Sequence, residues 1–193
     1  RACLACNGNL CPFFVATGRA VNGGYAQQMV GQELSAHPIP PSLSDAHAAP
    51  LLCAGAIGWR SLRLTGLGNG KRLGLTGFGA SGHLVLSMAL RRFPFMEIYV
   101  FARNPEERAF AHELGAVWTG DTDTRPPVQL DAIIDTTPAW KPVLKALEAL
   151  APGGRLVVNA IRKEATDREL LAGIDYARHL WLEKETKSVA NVT

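Results

Sequence analysis

The sequence predicts an α/β fold in which helices cover both faces of a parallel β-sheet. After Pro50, strand-like and helix-like patterns alternate, the strand-like patterns are short apolar runs, and a glycine-rich turn follows the first of them. Strands that alternate with helices usually pair in parallel, and a parallel sheet needs helices on both of its faces. These three observations predict a doubly wound parallel sheet.

The elements after Pro50 follow in a regular order. LLCAGAIGWRSLRL has helical spacing, RLGLTG is a short apolar strand, and GHLVLSMALRR is the next helix. The strand EIYVFA precedes the helix PEERAFAHELGA, which Pro105 starts and Gly115 stops. LDAIIDTT and GRLVVNA are two further strands around the helix WKPVLKALEAL, and KSVANV predicts a last strand.

The first 50 residues have a different character. Their many glycines and prolines predict loops with short strands, such as one over residues 25–30. Ser44 is placed to cap a short helix that begins in LSDAHAAP. The change of composition near Pro50 predicts two domains, over residues 1–50 and 51–193.

Composition is that of an ordinary globular protein, and it excludes several classes of partner. The chain has 193 residues, of which 47% are hydrophobic and 19% charged, with a net charge of +3. It has no basic run with interleaved aromatic residues, which would indicate a nucleic-acid surface. No apolar run approaches the ~18 residues that a membrane helix needs. We therefore expect a cytoplasmic protein that acts on small molecules.

A Gly-x-Gly-x-x-Gly motif lies between the first strand and its following helix, in GFGASG. In a dinucleotide site the first glycine permits the tight turn, the second admits the pyrophosphate, and the third lets the helix pack on the sheet. Amides at the start of the helix then face the phosphates. The alternative is a glycine turn without a ligand. The candidate cofactor-binding residues of this loop are Gly77, Phe78, Gly79, Ala80, Ser81 and Gly82.

The end of the second strand indicates which dinucleotide would bind. Enzymes that use NAD usually carry Asp or Glu there, bonded to the ribose 2′-hydroxyl. Here Ala102 takes that place, Arg103 follows it, and Glu97 lies at the opposite end of the strand. The missing carboxylate removes repulsion against a 2′-phosphate, and Arg103 could bind that phosphate. This pattern favours NADP over NAD, unless Arg103 points into solvent.

Three of the four cysteines lie close together near the start of the chain. Cys3, Cys6 and Cys11 have a C-x-x-C beginning, which is typical of zinc loops, whereas Cys53 stands alone. A zinc site closed by cysteines needs four ligands. The alternatives are free thiols in the loop and, for Cys53, a small buried apolar side chain.

The chain resembles the zinc-containing alcohol dehydrogenases of the medium-chain dehydrogenase/reductase superfamily. The resemblance rests on GNLC, GGYAQQ, PLLCAGAIGWRSL, GFGASG, ELGA, LDAIIDTTP, LKALEALAPGGRLVV and EKETKSVANVT, in this order. It implies a Rossmann dinucleotide-binding domain over residues 51–193. Residues 1–50 would be the C-terminal part of a GroES-like, mainly-β catalytic domain, and the segment that returns to that domain after Thr193 would be missing.

The same resemblance implies roles for the cysteines. Cys53, in LCAG, would be a ligand of a catalytic Zn²⁺. Cys3, Cys6 and Cys11 would belong to a structural zinc loop that is shortened between its last two cysteines. The first cysteine of that loop, and the other ligands of the catalytic zinc, would precede Arg1.

The implied activity interconverts an alcohol and an aldehyde or ketone by hydride transfer with NAD(P), in a homo-oligomer. Thr136, Thr137 and Asn159 follow the strands LDAIIDTT and GRLVVNA, and they would lie near the nicotinamide. Their alternative role is ordinary loop capping. Two other functions stay open. One is a zinc-free quinone or enoyl reductase of the same superfamily, but the four cysteines argue against it. The other is an inert nucleotide-binding module.

Overall fold

The computed structural model describes residues 8–31, 33 and 36–190, which divide into two compact units. The first unit contains the described residues up to Ala49, together with Ala190. The second unit is Pro50–Val189. None of the described helices is long and apolar enough to cross a membrane.

Turns and short helices form the described part of the first unit. It contains the 3₁₀ helix Gly8–Leu10 and the four-residue helix α1 (Asp45–Ala48). Ser44 caps α1 as predicted, because its hydroxyl oxygen accepts a hydrogen bond from the backbone amide of His47 at 3.4 Å. Asn9 is buried, and its side-chain amide donates to the carbonyl oxygen of Ala190 at 2.9 Å.

The predicted strand over residues 25–30 is wrong. This segment consists of bends and irregular backbone, and Tyr25 and Val30 are almost fully exposed. The described residues of the first unit form only one isolated bridge, between Thr17 and Val21. A strand needs a partner for its backbone hydrogen bonds. The apolar residues of this segment have no such partner among the described residues.

Strands and helices alternate throughout the second unit. Its α-helices are α2 (Ala54–Thr65), α3 (Ala80–Arg92), α4 (Pro105–Glu113) and α5 (Lys141–Ala149), and it also contains the 3₁₀ helix Arg168–Gly173 and the π-helix Tyr176–Leu180. Its strands are β1 (Arg72–Thr76), β2 (Glu97–Phe101), β3 (Trp118–Gly120), β4 (Leu130–Asp135), β5 (Leu150–Val158) and β6 (Glu185–Ser188).

All six strands are parallel, in the order β3-β2-β1-β4-β5-β6. This is the Rossmann order, and it confirms the predicted α/β class. The strand order reverses between β1 and β4, where helices leave toward opposite faces. Open α/β sheets bind ligands in the crevice outside the carboxyl ends of the strands at such a reversal, so the crevice at the ends of β1 and β4 is where we expect a ligand.

Apolar clusters cover both faces of the sheet. On one face, Leu62 of α2 and Val85 of α3 pack against Leu75 and its neighbours. On the other face, Val143 and Leu147 of α5 pack against the sheet. Complete burial of each leucine, isoleucine or valine contributes about 1.5–3 kcal/mol. The largest fully buried side chains belong mostly to the strands: Leu73, Leu75, Leu86, Ile98, Leu130, Ile133, Ile134, Leu150 and Leu156.

Three strands differ from the sequence prediction, and one of them, β5, begins at Leu150, ahead of the predicted GRLVVNA. The three-residue strand β3 is not predicted, because so short a segment shows no periodicity. The last strand begins at Glu185 and ends at Ser188, so it starts earlier than KSVANV. Its register is fixed by Arg155, whose guanidinium binds both carboxylate oxygens of Glu185, at 2.9 and 3.0 Å.

Candidate functional site

The glycine turn begins directly after β1, at the carboxyl edge of the sheet. Gly77 has φ +80°, a conformation that other residues rarely adopt. A Cβ at this position would lie 2.8 Å from the hydroxyl oxygen of Thr136 and 2.9 Å from a methyl carbon of Thr137. Its backbone amide donates to the carbonyl oxygen of Phe101 at 2.8 Å. Both the backbone conformation and the space around it therefore require glycine.

The N-terminus of α3 is open to solvent. Gly79 precedes this thirteen-residue helix, and no atom lies within 4 Å of the position that its Cβ would take. Ala80 is exposed and Ser81 is half-buried. No side chain caps this helix end. The first amides of α3 are thus available, at the positive end of the helix dipole, to an anionic group.

The other two residues of the loop fix its geometry. A Cβ at Gly82 would lie only 2.6 Å from the carbonyl oxygen of Gly77, so α3 packs directly on the end of β1. Phe78 is buried, and its ring contacts Phe110 edge-on, with centroids 6.0 Å apart. The Phe78 side chain therefore belongs to the core, and only its backbone can contact a ligand.

The residues after β2 separate into a buried and an exposed position. Ala102 is 2% exposed and lies in the apolar cluster, whereas Arg103 is exposed. Sequence reasoning missed Arg108, whose Nη1 donates to the carbonyl oxygens of Ala102 at 2.7 Å and Arg103 at 2.9 Å. This arginine of α4 holds the turn that presents Arg103. The position of Arg108, about one turn into the predicted helix, could have indicated that its side chain reaches back to this turn.

Thr136 and Thr137 follow β4 and pack against Gly77 of the glycine turn, and their hydroxyl groups are engaged within the protein. The Thr136 hydroxyl donates to the carbonyl oxygen of Thr76 at 3.0 Å. The Thr137 hydroxyl donates to the Asp135 carboxylate at 2.7 Å. These side chains shape the wall of the crevice, and their hydrogen bonds are those of the loop-capping alternative.

Asn159 has a buried polar group without a partner. It follows β5, is 6% exposed, and donates its backbone amide to the carbonyl oxygen of Asp135 at 2.8 Å. Its side-chain Nδ2 has no hydrogen-bond partner among the described residues. A buried donor without an acceptor is costly and uncommon in folded proteins. Together with the open helix end at Gly79, this orphaned donor fits a polar ligand in the crevice.

The segment after β5 folds back on the turn between β4 and α5, which the sequence did not reveal. Lys163 contacts Asp135, and the Glu164 amide donates to the carbonyl oxygen of Pro138 at 2.8 Å. The Asp167 carboxylate accepts the backbone amides of Trp140, at 2.9 Å, and Lys141, at 2.8 Å. Irregular segments show no periodicity, so the sequence does not predict this network. Its one indication in the sequence is Asp135, an isolated acid at the end of the apolar strand β4.

Asp167 acts as a remote cap of α5. Desolvation by itself would raise the pKa of this carboxyl group. The hydrogen bonds from the amides of Trp140 and Lys141 outweigh it, with help from the charge of Lys163, so the pKa is lowered below its usual value. The ionised carboxylate therefore stabilises the start of the helix.

The cysteines do not form a metal site among the described residues. Cys3 and Cys6 lie outside them, Cys11 is half-buried, and Cys53 is exposed directly before α2; the last two are free thiols. No group of three His, Cys, Asp or Glu side chains that could hold a metal occurs in the described ranges. These donors therefore do not fit a zinc ion without further ligands.

Comparison with known proteins identifies the relatives of the chain. No protein-family model matches it. It is 43% identical, over 185 residues, to "Probable alcohol dehydrogenase AdhA" of Mycobacterium tuberculosis, and the match covers 96% of this chain and 51% of that protein. The chain thus spans about half the length of the curated relatives it matches.

Two solved structures have the same fold. One is described as NAD-dependent, and the other is a complex with NADP(H). An NAD-dependent alcohol dehydrogenase superimposes with a TM-score of 0.79 at 20% identity, covering 97% of this chain and 56% of that one. The CAD of Helicobacter pylori, complexed with NADP(H), gives a TM-score of 0.58 at 25% identity, covering 75% of this chain and 40% of that one. These structures show the fold, and the sequence match shows the family: the chain belongs to the medium-chain zinc alcohol dehydrogenase family.

Proposed function

We propose that this chain is the nucleotide-binding part of an alcohol dehydrogenase. Residues 51–193 bind NAD(P), and residues 1–50 are the C-terminal part of a GroES-like catalytic domain. The protein interconverts an alcohol and an aldehyde or ketone, and the bound nicotinamide accepts or donates the hydride. The names of the relatives support this class of reaction.

The observation that carries the proposal is the open N-terminus of α3 beside the crevice. Backbone amides of Ala80 and Ser81 bind the pyrophosphate there, since Gly79 leaves room for it. Across the crevice, Thr136 and Thr137 form the wall against which the nicotinamide half lies. The unpaired Nδ2 of Asn159 donates to an oxygen of the cofactor.

A bulky side chain at Gly79 tests this proposal. The Gly79→Leu variant should fold normally, because nothing lies within 4 Å of its Cβ position, but its side chain should occupy the pyrophosphate site. Calorimetric titration with NADP⁺ should show affinity reduced at least about tenfold, the equivalent of 1.4 kcal/mol. The matched control is Gly68→Leu, another open position, which precedes β1 at the opposite edge of the sheet. Equal affinity of the Gly79→Leu variant and the parent chain would refute dinucleotide binding at this turn.

The preferred cofactor is NADP. Arg103 is exposed directly after the turn that Arg108 braces, so its guanidinium is free to bind a 2′-phosphate. Ala102 offers no carboxylate to a ribose 2′-hydroxyl. Because the methyl group of Ala102 is buried, the choice between the two cofactors is best tested at Arg103.

The metal proposal concerns Cys53. Its exposed thiol would contribute one ligand to a catalytic Zn²⁺, which needs further ligands besides the described residues. Cys3, Cys6 and Cys11 belong to a structural zinc loop. A catalytic zinc would act as a Lewis acid on the substrate oxygen. Metal analysis of a longer protein that contains this chain, before and after Cys53→Ser, tests the assignment by the loss of one zinc equivalent.

The protein also forms a homo-oligomer. Strand β6 lies at the edge of the sheet, and all four of its residues are exposed. Before it in the chain, Tyr176 and Trp181 form an exposed aromatic pair with ring centroids 5.5 Å apart. A strand edge that no described strand covers, and separately an exposed aromatic pair, favour association with a second copy. Sedimentation analysis measures the mass in solution, and a purely monomeric protein would contradict this part of the proposal.

A further inference from the structure

A buried ion pair lies at the carboxyl edge of the sheet, next to the crevice. The side chain of Asp135 is fully buried, and that of Lys163 is 9% exposed. The Lys163 ammonium contacts the Asp135 carboxylate and also donates to the carbonyl oxygens of Thr137, at 2.8 Å, and Ala139, at 2.9 Å. Its three N–H donors thus have three acceptors, so the ammonium has one defined position.

The other oxygen of the Asp135 carboxylate connects the two strands that flank the crevice. Oδ1 accepts the hydroxyl of Thr76, the last residue of β1, at 2.6 Å. It also accepts the hydroxyl of Thr137 at 2.7 Å and the amide of Thr137 at 3.2 Å. The ion pair therefore joins the ends of β1 and β4 with the segment that follows β5.

The turn held by this pair contacts the first glycine of the phosphate loop. Side-chain atoms of Thr136 and Thr137 lie 2.8 and 2.9 Å from the position that a Cβ of Gly77 would take. A displacement of this turn would therefore change the width of the crevice. Buried ion pairs are costly to desolvate and are weak sources of stability, so a role in fixing geometry is the better explanation of this one.

We propose that Lys163 is a positioning residue for the nicotinamide half of the dinucleotide. It acts through Asp135 and the turn of Thr136 and Thr137, and the inference rests on the proposed dinucleotide binding. The adenosine half lies beyond the glycine turn, toward β2, where the ribose-binding position is found. Lys163 therefore affects the whole dinucleotide but not a ligand that fills only the adenosine half.

The test compares two ligands and two lysine–aspartate pairs. Calorimetric titration measures the affinity of the chain for NADP⁺ and for adenosine 2′,5′-bisphosphate, which lacks the nicotinamide half. Lys163→Met should weaken NADP⁺ binding at least about tenfold, the equivalent of one lost hydrogen bond to a charged group. Binding of the bisphosphate should change less than about twofold, well under the 1.4 kcal/mol that a tenfold change represents.

The matched control is Lys71→Met. Lys71 binds Asp131 at 3.4 Å, also at the ends of β1 and β4, but this pair is exposed and lies at the amino edge of the sheet. This variant should bind both ligands as the parent chain does. A double variant, Asp135→Asn with Lys163→Gln, leaves no unpaired buried charge. If Lys163→Met alone does not fold, this double variant replaces it in the test. It should also bind NADP⁺ more weakly while its affinity for the bisphosphate stays nearly unchanged.

The outcomes separate the two proposals. If the parent chain binds neither ligand, the proposed function is overturned, and this inference with it. If the parent binds both, and the Lys163 variants weaken both equally or neither, only the positioning role is overturned. A selective loss of NADP⁺ binding that Lys163→Arg partly restores supports the positioning role, because arginine keeps the charge and the donors.

Discussion

The carbonyl oxygen of Gly77 lies 2.6 Å from the position that a Cβ of Gly82 would occupy. The end of β1 and the first turn of α3 are therefore in direct backbone contact. This contact fixes the direction in which the free amides of α3 point. A side chain between them would have to move the helix away from the sheet.

We expect Gly82→Ala to destabilise the protein by about 1–3 kcal/mol, because overpacking against backbone cannot be relieved by a side-chain rotation. Urea denaturation measures this change. Gly79→Ala, three residues earlier in the same loop, should cost less than about 0.5 kcal/mol, because its Cβ position is open. Equal stabilities of the two variants would show that α3 can shift without cost.

Arg103→Ala should weaken NADP⁺ binding and leave NAD⁺ binding almost unchanged, because only NADP⁺ carries the 2′-phosphate. The expected loss is about 1–3 kcal/mol, or roughly ten- to hundredfold, for a partly exposed charged contact. Titration with both cofactors measures the effect. The control is Arg91→Ala, an exposed arginine near the far end of α3. Tighter binding of NAD⁺ than of NADP⁺ by the parent chain would contradict the predicted preference.

Asp167→Ala should destabilise the protein by about 1 kcal/mol at neutral pH, since it removes the cap of α5. The folded state lowers the pKa of Asp167, so this contribution is fully present above the unfolded pKa and is lost as the pH falls through the folded pKa. The difference between parent and variant should therefore be constant above about pH 5 and should shrink below about pH 4. Denaturation across this pH range measures it.

The control for the cap is Asp123→Ala. Asp123 binds the side chain of Lys141 at 2.6 Å, but both side chains are about half exposed or more. Exposed pairs contribute about 0–1 kcal/mol. A loss as large as that of Asp167→Ala would indicate that charge near the helix start, and not the amide hydrogen bonds, stabilises α5.

Cys53→Ser should abolish alcohol oxidation in a longer protein that contains this chain, while dinucleotide affinity stays within about twofold, a difference below 1.4 kcal/mol. The reason is that Cys53 precedes α2, whereas the proposed cofactor contacts lie around α3 and after β4 and β5. Steady-state turnover and cofactor titration provide the two measurements. Retained turnover would refute the role of Cys53.

Most of the sheet could be predicted because its strands are apolar runs that end at recognisable turns. LDAIIDTT and RLGLTG correspond to the buried strands β4 and β1, and the glycine motif marks the edge where a ligand would bind. Pro105 and Gly115 correctly mark the two ends of α4. Proline fits the first turn of a helix, and Gly115 adopts φ +105° just after the helix ends. Local chemistry determines these features.

Long-range contacts could not be predicted. Lys163 lies in an irregular segment, and nothing in the sequence indicates that it reaches Asp135, 28 residues earlier. The burial of Ala102 depends equally on the helices packed over β2. For residues 25–30 the sequence predicted an element that does not form. Their apolar side chains suggest a strand, but no described strand lies beside them to pair with it.

The order of the strands has a consequence for how this domain assembles. Strand β1 pairs with β2, which follows after one helix, but it also pairs with β4, through Leu73 and Ala132, and three connections along the chain separate β1 from β4. Closing that longer loop costs more chain entropy and slows folding. We expect the halves β1–β3 and β4–β6 to form early and to dock late along the β1–β4 seam. The two walls of the crevice would then meet only at this last step, and a nascent chain that ends before Asp135 would carry the phosphate loop without the opposite wall.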